Sequence, residues 1–139
     1  MARVLNVRER TEEQKKEEFQ QAQSYCNEQN QKLNQLTDEK RNICDAIMDQ
    51  TQTKVRIDEI THYYNYLDSL DDLIFDQRRE VDKAENQLEH ARQEWIEAKR
   101  EKKVLEKLKE RQYQDYKSQY LKEEQKTLDE LSLQFGYSR

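Results

Sequence analysis

Positions 19, 22, 26, 29, 33, 36, 40, 43 and 47 advance by strictly alternating steps of three and four residues. They hold Phe19, Ala22, Cys26, Gln29, Leu33, Leu36, Lys40, Ile43 and Ile47, and seven of the nine are apolar. An average step of 3.5 keeps such residues on one face of a helix, facing a partner helix, which is the seam of a coiled coil. The pattern recurs at Leu67, Leu70, Ile74, Gln77, Val81, Ala84, Leu88, Ala91, Trp95 and Ala98. Two seams in one chain predict two long helices folded against each other.

Composition agrees with that economy of apolar surface. The chain is 40% charged and 33% hydrophobic, with one Gly and no Pro in 139 residues, and its mean hydropathy is -1.40. An ordinary globule needs turns and a thick core, so it is excluded, and disorder becomes the first rival. Mixed charge speaks against disorder: the net charge is only -5, and the abundant Glu, Gln, Lys, Arg and Leu all favour helix. The expected fold is all-α, a single coiled-coil domain over 1–139 forming an antiparallel hairpin. Helix 1 is expected at about 3–50, the turn at about 51–58 and helix 2 at about 59–135.

The bend falls best in "QTQTKVRID", residues 50–58, where Thr51, Thr53, Val55 and Ile57 are β-branched and weaken helix. Asp58 would then cap helix 2, with Glu59 near its positive end. The rival bend is "DSLDD" at 68–72. With the first bend, partners carry numbers summing to roughly 108 along an antiparallel pair. Phe19 then faces Leu88, and Val4 with Leu5 faces Val104 with Leu105. Helix 2 is the longer and overhangs. Past Ala98 its seam is carried by Val104, Leu105 and Leu108, drifts onto Tyr113, Tyr116 and Tyr120, and returns at Leu128, Leu131 and Phe135. Such a stutter suits a stretch without a partner helix, and Gly136 reads as a stop at the helix end.

No apolar run approaches the roughly 20 residues of a membrane span, and "MARVLNVRER" lacks the apolar core of a secretory signal. These features predict a soluble, cytoplasmic chain in which Cys26 and Cys44 stay reduced. Catalysis needs convergent groups in a rigid concavity, which two helices do not supply. His62 and His90 lack ligand partners at helical spacing. Acid pairs such as Asp71-Asp72 and Glu123-Glu124 read as solvated faces, and Trp95 as a core residue. The expectation is a protein with no catalytic, cofactor or metal site that works by contact. Nucleic acid is disfavoured by the acidic balance.

Two segments exceed what a hairpin needs. "ITHYYNYLDSLDDLIF", residues 60–75, has nine aliphatic or aromatic residues in sixteen. Leu67, Ile74 and one of Tyr63 and Tyr64 serve the seam. Tyr66, Leu70, Leu73 and Gln77 form a second stripe at i, i+4, i+7, i+11, with Leu70 bordering both. One partner helix cannot cover two stripes, so the excess reads either as a docking face or as a thick hairpin tip. "KREKKVLEKLKER", residues 99–111, carries seven bases against three acids, either a solvated face or a contact for an acidic partner.

These residues also resemble a known family. "RVLNVRER" at 3–10, the Tyr/Leu-rich opening of helix 2, Trp95 with Ala98 ahead of "LEKLKE", and "EQKTLDEL" at 124–131 are similar to the flagellar export protein FliJ family. The resemblance covers nearly the whole chain, and its specific part is the C-terminal half. It implies a stalk like the gamma subunit of rotary ATPases, within the flagellar type III export apparatus. It further implies insertion into the hexameric export ATPase, which it stimulates, and contact with the cytoplasmic part of the export-gate membrane protein and with chaperones of late export substrates. The chain would thereby be held peripherally at the inner membrane. Carried onto this chain, the ring-facing residues are Val4, Leu5, Val7, Leu105, Leu108 and Arg111. The gate-binding residues are Tyr66, Leu70, Leu73 and Gln77, the last departing from an imidazole found there in the family. The stalk of a virulence injectisome and a homodimeric structural tether are the alternatives.

Overall fold

The computed structural model describes residues 2–52 and 57–137, with side chains for 2–49 and 57–136. It contains two helices, α1 (Ala2–Gln52) and α2 (Ile57–Tyr137), which pack against each other as an antiparallel hairpin with α2 the longer. The expected turn centres on 53–56, outside the described residues. The rival bend is not one: α2 runs unbroken through Asp68–Asp72, and Leu70 in its middle is only 2% exposed. Asp58 lies inside the first turn of α2 rather than capping it, because the helix begins at Ile57. Its carboxylate and that of Glu59 still oppose the positive end of the helix. Gly136 is helical and has no left-handed φ, so it does not terminate α2. Hydroxyl residues inside the helices turn back on their own backbone: Thr11, Thr37, Thr61 and Thr127 donate to the carbonyls of Val7, Leu33, Ile57 and Glu123.

The chain divides into two compact units: Gln14–Trp95, and Met1–Glu13 with Ile96–Arg139. In the first, cross-helix partners descend along α2 as they ascend along α1. Lys15 pairs with Glu94 at 3.0 Å, Gln29 with Gln77, and Lys40 with Asp71 at 2.6 Å. The Phe19 ring meets Trp95 with centroids 5.2 Å apart and planes tilted by 31°, a geometry aromatic quadrupoles favour. Phe19 therefore has an aromatic partner two turns along α2 from Leu88.

All nine spaced positions of α1 from 19 to 47, and all ten of α2 from 67 to 98, are buried or half-buried. The innermost are Cys26, Ile47, Leu70, Ile74, Val81, Ala84 and Ala98. Short side chains such as Ala84 and Ala98 bring the helices close, where dispersion contacts are densest. Polar Gln29 sits in this row at 6% exposure. The Gln77 amide nitrogen donates to its side-chain oxygen at 2.8 Å and to its backbone carbonyl at 2.9 Å. The Gln77 amide thus satisfies both acceptors of the buried Gln29, which makes this register better than its neighbours.

Charged side chains fence the seam. Lys15 is held above its ordinary pKa by hydrogen bonds to Glu94 and Glu18, and Glu94 below its own by the bond from Lys15. Within the other unit, Arg8 binds Glu101 at 2.5 Å, and Lys102 lies 3.9 Å from Glu12. Exposed pairs of this kind guide register more than they add stability.

Two outcomes follow in urea titrations followed by circular dichroism. Leu70→Ala should cost about 2–5 kcal/mol. Gln77→Leu should cost about 1–3 kcal/mol by stranding the Gln29 amide, whereas Gln29→Leu with Gln77→Leu should recover that loss.

Candidate interaction surfaces

The second stripe on α2 is only half available. Tyr66 and Leu73 are exposed, but Leu70 is core and Gln77 turns into the seam toward Gln29. Leu70 and Gln77 belong to the face that packs on α1, so a protein approaching from solvent meets Tyr66 and Leu73. The Tyr66 hydroxyl is already engaged, donating to the Glu39 carboxylate of α1. That bond holds the phenol above its ordinary pKa of 10.0. Of the Tyr63–Tyr64 pair, Tyr63 is half-buried on the seam and Tyr64 points out.

A further set of exposed apolar residues occupies another face of α2: Ile57 at 80%, Tyr64 at 55% and Phe75 at 63% exposure. Their spacing of seven and eleven residues was legible in the sequence but was masked there by the density of apolar residues around it.

In the unit containing both chain ends, Leu5 is buried while Val4 and Val7 are exposed. On α2, Leu105 is half-buried, Leu108 is 40% exposed and Arg111 is exposed. Val104, Lys107, Leu108, Glu110, Arg111 and Gln114 line a shallow groove on α2. From Glu106 to Gly136 every residue is exposed. Tyr113, Tyr116, Tyr120, Leu128, Leu131 and Phe135 nevertheless share one face, interrupted at Glu124. Twenty-two residues in six steps give about 3.67 per step, close to the 3.6 of a straight helix. This stripe therefore runs almost parallel to the axis and needs no supercoiling to present itself.

Among the described residues no three His, Cys, Asp or Glu side chains gather as a metal site would require. No described helix is long and apolar enough to cross a membrane. Cys26 and Cys44 are free thiols, the first buried and the second half-buried.

The described surface of this two-helix hairpin carries exposed apolar stripes between charged rows. A family profile for the flagellar FliJ protein matches residues 1–139. The chain belongs to the FliJ family, whose members are components of flagellar protein export. No curated protein and no solved structure matches it.

The Tyr66–Glu39 bond has a signature at high pH. The raised folded pKa means its contribution is present below the ordinary tyrosine pKa and disappears as pH rises through the folded value. In a tyrosinate absorbance titration, Glu39→Gln should move one of the eight tyrosines to earlier ionisation. Tyr66→Phe should remove that same late component.

Proposed function

We propose that this protein is a non-enzymatic stalk of the flagellar type III export apparatus, working in the cytoplasm against the export ATPase at the inner membrane. The observation that carries this reading is the exposed apolar stripe from Tyr113 to Phe135, on a stretch of α2 that α1 does not cover. A lone helix with six large apolar residues on one face gains from burial in a partner. The family relationship suggests the hexameric ATPase ring as that partner, with Val4, Leu5, Val7, Leu105, Leu108 and Arg111 at the same contact. An asymmetric helix seated among six identical subunits favours some subunit conformations over others and so biases nucleotide binding and release without chemistry of its own. The gate-protein contact is then reduced to Tyr66 and Leu73, with Leu70 and Gln77 supporting them from within the seam. Chaperones of late substrates complete the set of partners.

A homodimeric tether would also cover the stripe. In a parallel in-register pair, however, Glu124 would face its own copy across the apolar face, which is unfavourable. The flagellar family match likewise favours this system over an injectisome.

The test is ATP turnover by the cognate flagellar export ATPase across a concentration series of this chain. Stimulation is expected. Tyr113→Ser, Tyr116→Ser and Tyr120→Ser together should reduce it by about tenfold or more, a loss of at least ~1.4 kcal/mol in the contact. The melting temperature should barely move, because these side chains are exposed. Unchanged turnover at every concentration would remove the stalk reading.

A further inference from the structure

The base-rich segment 99–111 sets four of its charges in one line. At 100° per residue, Ile96, Arg100, Lys103, Lys107 and Arg111 lie within about 40° of a single direction around α2. That direction is about 180° from the buried Ala98 and the half-buried Leu105. The four bases therefore stand on the face of α2 turned away from the seam, spread over about 17 Å of helix, and all four are exposed. No acid falls on this line between Arg100 and Arg111.

The carboxylates around the ridge leave most of its charge free. Arg100 is paired with Glu97 at 3.4 Å, but both side chains are largely exposed, so the pair is weak. Glu101 is bonded to Arg8, and Glu12 lies 3.9 Å from Lys102, so bases off the ridge engage both. Glu106 and Glu110 border the ridge about 60–100° to one side. Among the described residues, Lys103, Lys107 and Arg111 have no carboxylate partner. On the other side stand Val104 and Leu108, 53% and 40% exposed, which line a shallow groove with Lys107 and Arg111.

An occupant of this surface must bring anions at the axial repeat of the bases, about 5.4 Å per turn, and apolar groups to cover Val104 and Leu108. An acidic amphipathic helix has that repeat and both kinds of side chain. A flat anionic bilayer spread over the same face would press on Glu106 and Glu110 as well as on the bases. A nucleic-acid strand would find no aromatic ring on the ridge to stack upon. A second copy offers 57–77 as its segment without Lys or Arg, but Asp71 there is already paired with Lys40 at 2.6 Å.

We propose that the Arg100–Lys103–Lys107–Arg111 ridge, with the adjoining Val104 and Leu108, is a docking site for an acidic amphipathic helix of another protein. The site shares Leu108 and Arg111 with the proposed ring contact. It does not rest on that reading and is tested without the ATPase, so either can fail alone.

The probe is a fluorescently labelled helical peptide of Ala, Leu and Glu, with Leu and Glu recurring every three or four residues on one face. It is titrated against the full chain by anisotropy, beside a scrambled peptide of the same composition, a single-stranded DNA of the same charge and phosphatidylserine vesicles. The patterned peptide should bind at least about tenfold tighter than the scrambled one, and binding should weaken as salt is raised. Lys103→Glu with Lys107→Glu should weaken it at least about tenfold at unchanged helicity. Val104→Ser should weaken it about threefold or more. Lys122→Glu with Lys126→Glu changes the net charge equally, at exposed positions more than a Debye length along α2, and should alter binding less than about twofold. Equal binding of patterned and scrambled peptides, or equal losses from the two charge reversals, would overturn the proposal. So would tighter binding of the DNA or the vesicles that Lys103→Glu with Lys107→Glu abolishes. A dimer in light scattering that the same pair dissociates would name a second copy as the occupant and overturn it too.

Discussion

One helix can cover only one stripe of another, and the rest of this molecule follows from that limit. A helix in contact with a single partner buries roughly the a and d positions and leaves five of every seven residues to solvent. A chain that is 40% charged can fold this way because nothing else has to be apolar. The same limit means that any apolar residue off the seam is exposed from the start. Tyr64, Phe75, Tyr66, Leu73 and the stripe from Tyr113 to Phe135 cannot be part of the hairpin's own core, whatever their hydrophobicity.

A thin core has little energy to distinguish one register from the next, and sliding by one heptad would preserve most apolar contacts. The polar exceptions supply the discrimination. Gln77 can donate to Gln29 only when the two face, and Lys15 with Glu94 and Lys40 with Asp71 add charge pairs on the seam borders. Each exposed pair is weak, but a slipped register would lose them together and would bury the glutamine amides unpaired. Phe19 against Trp95 adds a shape match that only one alignment provides.

Two segments of α2 differ in electrostatic setting. Residues 57–77 are acidic without a single Lys or Arg, whereas 99–111 carry seven bases against three acids. Surface charge of either sign favours encounter with groups of the opposite sign.

The sequence by itself determined the helical hairpin, its antiparallel register to within about three residues, and the exposure of α2 beyond Leu105. These depend on periodicity and on chain length, both of which are local and countable. Lys15, which the spacing sets against residue 93, is bonded to Glu94. Tertiary structure decided which members of an apolar cluster face the partner and which face solvent. Leu70 and Gln77 belong both to the seam and to the stripe of Tyr66 and Leu73, and spacing alone did not say which role prevails. A rotation of some tens of degrees about the helix axis separates core from surface, and the packing of α1 sets that rotation. The same rotation turned Ile57, Tyr64 and Phe75 outward to the opposite flank and brought Trp95 onto Phe19. Heptad spacing defines a stripe, but only the partner's side chains choose its centre line.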